Sequence, residues 1–355
     1  MIKSLQSLRL VFAMMIFLHH FPNASNGVGS FEAGGPLGVC FFIILSGFVM
    51  SIGYGDKVLS ENFDFKHYYL KRVIRIYPLH LLCLFGFVVL HYQKSFFSIK
   101  SIWLLGINSL MLQSWIPIID VYFSGNAVSW FLCDLMFCYL MFPVLYRLIN
   151  KVRTKTIVIV GLFVTASYLV TIQLIPDKMV HALVYISPIF RLIDFVLGIL
   201  AYKVFIWLRK GKFMNYLENF SKIKLTGIEI CSLALLTSSI LAYPFLPDRY
   251  NLASMWWLPC AILLISFSLL DTYGGGYISR LIRNNLVQKL STVSFTFYMI
   301  HQLAINVFLS AIGKLQIHVS YFVELIACLI IIMFAALIVN KFFEKPLVSY
   351  LSRKI

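Results

Sequence analysis

Apolar runs, each about as long as a membrane-spanning helix, alternate with short polar stretches along almost the whole chain. A helix needs about 20 mostly apolar residues to cross the hydrocarbon core of a bilayer. Ten runs satisfy this length, near residues 6–22, 36–54, 76–92, 128–148, 156–175, 183–207, 225–245, 252–271, 290–312 and 320–342. A further stretch, residues 101–118, is apolar but interrupted by polar residues and by Pro117, which predicts an interfacial or re-entrant segment.

The composition also favours an all-α integral membrane protein. Of the 355 residues, 60% are hydrophobic and 12% are charged, whereas soluble domains average about 45–50% apolar and about 25% charged residues. The net charge of +16 is explained by the positive-inside rule rather than by a nucleic-acid partner, because most of the 30 lysines and arginines flank one side of the ten predicted spans. We therefore expect about ten transmembrane helices and both termini in the cytoplasm. We also expect a single transmembrane domain over residues 1–355, with no appended soluble domain.

The seven cysteines fall inside apolar stretches, and their number is odd. Cys133 and Cys138 are separated by four residues but have no second pair that would complete a metal-binding pattern. We interpret the cysteines as small buried hydrophobic residues and expect neither disulfides nor a metal site.

Ionisable residues inside predicted spans are candidate functional residues, because each costs at least about 2.5–3.5 kcal/mol at mid-depth. The first span begins near Arg9 and ends with His19 and His20. Arg9 and His20 are eleven residues apart, which is roughly 16 Å along one helix and close to three turns, so they point to nearly the same side. Alternatively, Arg9 snorkels to lipid headgroups and His20 binds a backbone carbonyl at the interface.

A second cluster lies in HYYLKRVIRIYP, residues 67–78, where Lys71 precedes Arg72 and Arg75. The two arginines are three residues apart and therefore share a helix face. Arginine binds phosphate through two aligned donors, so the cluster could clamp a phosphorylated ligand. The alternative is an amphipathic anchor on anionic lipid.

Acidic residues and one more histidine complete the set. Asp134 lies in the predicted fourth span and needs a partner, either His20 or a neighbouring helix. Arg191 and Asp194 are three residues apart and are expected to pair with each other. His301 lies in the middle of the ninth span, and Glu344, at the end of the tenth, is interpreted as structural.

Six motifs in this order resemble the acyltransferase-3 family of bacterial integral-membrane O-acyltransferases, which modify surface sugars. They are Arg9-x10-His20, GPLGVCFFIILSGFVM at 35–50, RVIRIYP at 72–78, SWFLCDLMFCYLMFP at 129–143, VSFTFYMIH at 293–301 and FEKP at 343–346. Two positions depart from the family pattern: Asp134 stands where Glu is usual, and Phe295 where Tyr is common. Asp134 is one methylene shorter than Glu, which shortens its reach towards His20.

The resemblance implies an enzyme in the bacterial inner membrane, crossing it several times. The donor would be cytoplasmic acyl-CoA, most often acetyl-CoA, used as a co-substrate, with no permanently bound cofactor. The acceptor would be a hydroxyl of a surface carbohydrate such as O-antigen, capsule or exopolysaccharide, and lipid would surround the protein. The alternative is a transporter or flippase for a lipid-linked or small glycoside.

The expected roles of the site residues follow from this interpretation. His20 would act as the general base, and Asp134 would orient its ring. His301 is a further catalytic candidate, Ser46 and Trp130 are substrate-binding candidates, and all three are candidates for stabilising the tetrahedral oxyanion. The residues that would hold the CoA phosphates are Arg9, Lys71, Arg72 and Arg75.

Overall fold

The computed structural model of the protein describes residues 2–22, 31–91, 98–211 and 217–355. Every regular element in these ranges is helical, which confirms the predicted all-α class. The chain divides into two compact units. The first unit comprises Met1–Leu5, Val39–Phe65 and Asp134–Asn284, and the second comprises Gln6–Gly38, Lys66–Cys133 and Asn285–Ile355.

The first unit contains most of two long helices and all of seven others. Its helices are α2 (Gly34–Leu59), α6 (Trp130–Lys151), α7 (Thr154–Leu174), α8 (Asp177–Val180), α9 (Pro188–Lys210), α10 (Lys222–Ala242), α11 (Asp248–Asn251), α12 (Trp257–Thr272) and α13 (Tyr277–Ile282). A π-helical turn at His181–Ile186 and 3₁₀ turns at Tyr243–Phe245 and Ser254–Trp256 connect some of them.

Helices α2 and α9 pack so closely that only glycine fits at their crossing. A Cβ atom at Gly47 would lie 2.1 Å from the Phe195 carbonyl oxygen, and one at Gly198 would lie 2.0 Å from the Ile44 carbonyl oxygen. Small residues that allow such backbone approach are the usual basis of helix pairing in lipid. Gly47 belongs to the SGF sequence that ends the second motif, so this part of the motif has a packing role.

Two of the buried charged residues of the first unit, Arg191 and Asp194, form a closed cluster. As predicted, Arg191 pairs with Asp194, with 2.7 Å between Nη1 and Oδ2. Arg191 also donates to the carbonyls of Tyr185 and Leu252, and the Trp257 indole donates to Asp194 Oδ1. Each nitrogen of the guanidinium and both carboxylate oxygens therefore have partners, which is what burial of an ion pair requires.

The second unit is built on α1 and on the last helices of the chain. Its helices are α1 (Lys3–His20), α3 (Phe65–Leu90), α4 (Ile99–Ser109), α5 (Ile119–Tyr122), α14 (Asn285–Ser291), α15 (Ser294–Leu315), α16 (Tyr321–Val339) and α17 (Lys345–Ser352). Short 3₁₀ turns at Gln113–Trp115 and Ala127–Ser129 and a π-helical turn at Asn340–Glu344 complete it.

In the described ranges, eight helices are long and apolar enough to cross a membrane. A ninth span results if Asp177–Ile186 and Pro188–Lys210, which are bent by 46°, count as one broken span. Nine of the ten predicted spans correspond to these helices. The remaining one, the predicted first span, corresponds to α1, which is helical but carries Lys3, Arg9 and two histidines in its 18 residues. The number ten and the orientation of the termini stay predictions.

The cysteine interpretation needs one correction. Six of the seven cysteines are buried, as expected, but Cys231 on α10 is exposed. An apolar helix in a membrane protein can present such a residue to lipid as readily as to the protein interior, so an apolar stretch alone does not predict burial.

Candidate active site

Helix α1 carries the first pair of predicted site residues on one continuous element. It runs from Lys3 to His20, so Arg9 and His20 are joined by an unbroken helix, as expected. Both residues are half-buried. A Cβ atom at Gly35 would lie 2.7 Å from the Nε2 atom of His19, so the start of α2 packs directly on His19 near the end of α1.

His20 contacts His301 of α15. His20 Nδ1 and His301 Nε2 are 3.1 Å apart, and the ring centroids are 5.0 Å apart. His301 is fully buried, whereas His20 is half-buried. The two rings therefore form one pair, of which the His20 ring is the more accessible member.

The hydrogen bonds of the pair define which nitrogen atoms carry protons when both rings are neutral. His301 Nδ1 lies 2.5 Å from the Tyr298 carbonyl and His20 Nδ1 lies 2.9 Å from the Ile16 carbonyl. A carbonyl oxygen only accepts, so both Nδ1 atoms are donors. His301 Nε2 then accepts from His20 Nδ1–H, and His20 Nε2 retains its lone pair as a base.

Aromatic side chains surround the pair. The Phe297 ring stacks on His301 at 6.4 Å and 11°, and it meets Phe17 edge-on at 6.0 Å. Phe21, next to His20, packs against Tyr321 at 5.7 Å. Such packing fixes the planes of the two imidazoles and limits access of water to His301, because the aromatic rings cover large apolar areas.

Asp134, Trp130 and Ser46 are the remaining predicted residues of the reaction site. Helix α6 contributes the buried Trp130 to the second unit and the fully buried Asp134 to the first. The predicted contact between Asp134 and His20 stays a prediction, since the structure gives His20 the partners Ile16 and His301. Ser46, also in the first unit, donates its hydroxyl to the Phe42 carbonyl at 2.7 Å. Its role in substrate contact stays a prediction too.

The predicted cationic cluster lies on α3, which begins at Phe65 and holds all three residues on one helix. Lys71 and Arg72 are half-buried, and the Arg72 guanidinium lies 5.9 Å from the Tyr68 ring centroid. The Arg75 side chain is 48% exposed and forms a salt bridge with Glu344 Oε1 at 2.9 Å. Sequence reasoning missed this pairing because the two residues are far apart in the chain.

Glu344 is only 1% exposed and lies at the end of the π-helical turn Asn340–Glu344. Its Oε2 atom accepts hydrogen bonds from the Thr296 hydroxyl and, at 2.8 Å, from Asn340. The π-turn adds a residue to the helical repeat and rotates Glu344 relative to a regular helix. Glu344 thus has structural contacts as predicted, and in addition it holds one of the expected phosphate-binding arginines.

Comparison with known proteins identifies the family. The acyltransferase-3 model, described as an acyltransferase domain, matches residues 2–341. The chain belongs to the acyltransferase-3 family. A relative in this comparison, "Acyltransferase MdmB" of Streptomyces mycarofaciens, is 26% identical over 329 residues, covering 86% of this chain and 79% of the relative. No solved structure matches the chain.

Five of the six sequence motifs fall within the residues matched by the acyltransferase-3 model, and FEKP at 343–346 lies just beyond them. Within the second unit of this acyltransferase-3 protein, the first and fifth motifs meet through His20 and His301. The third and sixth meet through Arg75 and Glu344. Family membership and the acyltransferase relative support membrane acyl transfer rather than the transporter alternative.

Proposed function

We propose that the protein is an O-acyltransferase of the bacterial cytoplasmic membrane that moves an acyl group, most simply acetyl, from acyl-CoA to a carbohydrate hydroxyl. The observation that carries the proposal is the His20–His301 pair in a chain of this family. A histidine with a free Nε2 lone pair and a fixed Nδ1–H is suited to accept a hydroxyl proton.

His20 is the base of this reaction. Its Nε2 atom takes the proton of the acceptor hydroxyl as the oxygen attacks the thioester carbonyl. When the tetrahedral intermediate breaks its carbon–sulfur bond, the CoA thiolate leaves and takes that proton from His20. The products are an ester and free CoA, and the histidine returns to its starting state.

His301 supports this step by holding the His20 ring. Its Nε2 lone pair faces His20 Nδ1–H at 3.1 Å, which keeps Nε2 of His20 as the unprotonated atom. It also stabilises the imidazolium that forms, as the third group does in a catalytic triad. Asp134 was expected in this role from the sequence, and His301 is better supported because it contacts His20.

The donor is proposed to bind through its phosphates to Arg9, Lys71, Arg72 and Arg75. Arg9 is roughly 16 Å along α1 from His20, a length that an extended pantetheine arm can span. Arg75 keeps almost half of its side chain exposed despite its bond to Glu344, so its remaining donors are accessible to an anion.

Substitution of His20 tests the proposal. Purified protein in lipid nanodiscs would be supplied with [1-¹⁴C]acetyl-CoA and the glycan-containing envelope fraction of the producing strain, and both CoA release and labelled glycan would be measured. His20→Ala should lower transfer by about 10²–10⁴-fold, the usual contribution of a positioned base. Loss of both signals with a normally folded protein is the expected result.

His19→Ala is the matched control. His19 lies next to His20 on the same helix, but its Nδ1 atom bonds to the Glu32 carbonyl at 2.8 Å rather than to His301. The His19→Ala variant should keep most of the transfer activity. Equal loss in both variants, or no loss in His20→Ala, would contradict the assignment of the base.

A further inference from the structure

The chain between α4 and α6 exposes several apolar side chains and buries several polar ones. Several of its large apolar residues face outward, with Leu110 at 64% and Ile119 at 60% exposure, while Met111, Val121, Tyr122 and Val128 are buried. Several polar residues face inward, since Gln113 and Ser129 are completely buried and Asn126 is 1% exposed, whereas Asp120 is exposed. A surface that presents apolar groups outside and polar groups inside is what a segment at membrane depth needs when it borders a polar cavity.

This segment is attached to the part of α15 that carries His301. Asn126 donates its amide to the Met299 carbonyl at 2.9 Å, and the Tyr298 hydroxyl donates to the Val128 carbonyl at 3.0 Å. Tyr298 is the residue whose carbonyl holds His301 Nδ1. Asn126 and Val128 are therefore fixed to the same turn of α15 that holds His301.

Gln113 is linked to the start of α6 by the hydrogen bond of the adjacent residue, Ser114. The Ser114 hydroxyl donates to the Trp130 carbonyl at 2.7 Å, which joins the turn Gln113–Trp115 to the turn Ala127–Ser129 and the start of α6. Gln113 and Ser129 each stand one residue from this hydrogen bond. The two turns thus bring their buried polar side chains into one neighbourhood.

Several polar atoms of these side chains lack hydrogen-bond partners among the residues that the structure describes. They are both amide atoms of Gln113, the Asn126 carbonyl oxygen and the Ser129 hydroxyl. Leaving buried polar atoms unpaired is costly, so they are normally satisfied by water or by a ligand. The set holds donors and acceptors and no charge, which matches hydroxyl groups, since a hydroxyl both donates and accepts.

We infer that Gln113, Asn126 and Ser129 form the subsite that binds the hydroxyl groups of the acceptor and directs one of them to His20. This inference rests on the proposed function and adds the residues and the chemistry of acceptor recognition, a neutral polyhydroxyl molecule. Acyl-CoA phosphates are excluded from this subsite because its side chains offer no cation.

The backbone of the segment is held in shape at both ends. Met111 has φ = 52° and Gly125 has φ = 66°, both in the left-handed region. A non-glycine residue such as Met111 adopts this conformation at a cost that the surrounding structure must offset. A subsite whose backbone is fixed in advance loses less entropy when it binds a flexible acceptor.

Gln113→Leu is the first test, because leucine is close to glutamine in volume and cannot form hydrogen bonds. With [1-¹⁴C]acetyl-CoA and graded amounts of the same envelope fraction, the half-saturating amount of acceptor should rise about tenfold, as expected for the loss of hydrogen bonds in a polar subsite. The thermal unfolding midpoint should not fall, because no bond within the described protein is lost.

Two further variants keep the test decisive. Ser129→Ala removes one hydroxyl and should raise the half-saturating amount about threefold to tenfold, even if leucine at position 113 disturbs folding. Gln173→Leu, at an exposed glutamine of the first unit, is the matched control and should saturate like the unaltered protein.

The outcomes separate the inference from the proposed function. If the unaltered protein labels the envelope and both subsite variants saturate as it does, the inference is wrong and the proposed function stands. A lower unfolding midpoint with unchanged saturation would likewise assign Gln113 a structural role. If the unaltered protein neither releases CoA nor transfers label, the proposed function fails and the inference with it.

Discussion

Arg191 and Asp194 in the first unit are buried as deeply as His301 in the second, yet the two regions treat their polar groups differently. In the first, each guanidinium nitrogen and each carboxylate oxygen has a partner inside the protein. In the second, the half-buried His20 keeps Nε2 as a lone pair and has a bond to His301 at Nδ1. Amide and hydroxyl atoms without hydrogen-bond partners among the described residues also lie in the segment fixed to α15.

The difference shows how to separate structural from chemical roles among buried polar residues. A closed cluster has no capacity left for a ligand, so its energy goes into holding helices together. A cluster with unused donors and acceptors is less stable than it could be, and such a cost is typical of active sites. Burial alone does not distinguish them, since Arg191, Asp194 and His301 are all completely buried.

The largest expected effect comes from breaking the closed cluster. Asp194→Ala removes the counter-charge of a completely buried arginine, and loss of one partner of such a pair costs about 3–5 kcal/mol. We expect a much lower thermal unfolding midpoint and a reduced yield of folded protein in detergent. Transfer activity per folded molecule should change little, because the cluster makes no contact with the reacting groups in this proposal.

Asp56→Ala, at an exposed carboxylate on α2, is the matched control and should leave the midpoint unchanged. The double variant Arg191→Met/Asp194→Leu removes both charges and should recover much of the lost stability. If Asp194→Ala instead abolished transfer in a protein that melts normally, the first unit would contain a functional carboxylate and the comparison between the two regions would fail.

The sequence predicted local features and missed contacts between distant segments. The apolar runs predicted the helical class, and a separation of three residues predicted the Arg191–Asp194 pair, because both depend on helix geometry alone. His20 and His301 are 281 positions apart, so no periodicity could show that they meet. Their occurrence in the first and fifth motifs was the available signal.

Glu229 illustrates a contact that no side-chain pattern would reveal. This buried carboxylate on α10 accepts hydrogen bonds from the backbone N–H groups of Gly276, Ile278 and Ser279 at 2.9–3.2 Å. Three of its partners are main-chain donors about 50 positions away, which any residue except proline supplies, and the fourth is the Ser279 hydroxyl. The sequence therefore offers an acidic residue in an apolar run without indicating what satisfies it.

An intermediate effect is expected at the histidine pair. His301→Leu leaves His20 Nδ1–H without its acceptor on α15, and loss of one buried hydrogen bond of this kind should lower kcat roughly 10- to 100-fold. The thermal midpoint should change less than in Asp194→Ala. Single-turnover measurements with acetyl-CoA and the envelope fraction would separate this loss from changes in substrate binding.

His301→Gln distinguishes positioning from packing. The glutamine carbonyl can accept the hydrogen bond of His20 Nδ1–H, so this variant should recover part of the activity that His301→Leu loses. Equal activity of the leucine variant and the unaltered protein would show that His301 only fills space. The proposed orientation of the His20 ring would then need another partner, and Asp134 would be the next candidate.

The smallest expected effect concerns Arg75 and Glu344, which combine a buried carboxylate with an accessible cation. The double variant Arg75→Gln/Glu344→Gln removes both charges and should fold nearly as well as the unaltered protein, because it leaves no uncompensated buried charge. If Arg75 also binds a donor phosphate, KM for acetyl-CoA should rise about tenfold, the value of one hydrogen bond to a charged group. Glu61→Gln, at an exposed carboxylate, should leave KM unchanged. An unchanged KM in the double variant would show that Arg75, like Arg191, has a structural role and does not bind the donor.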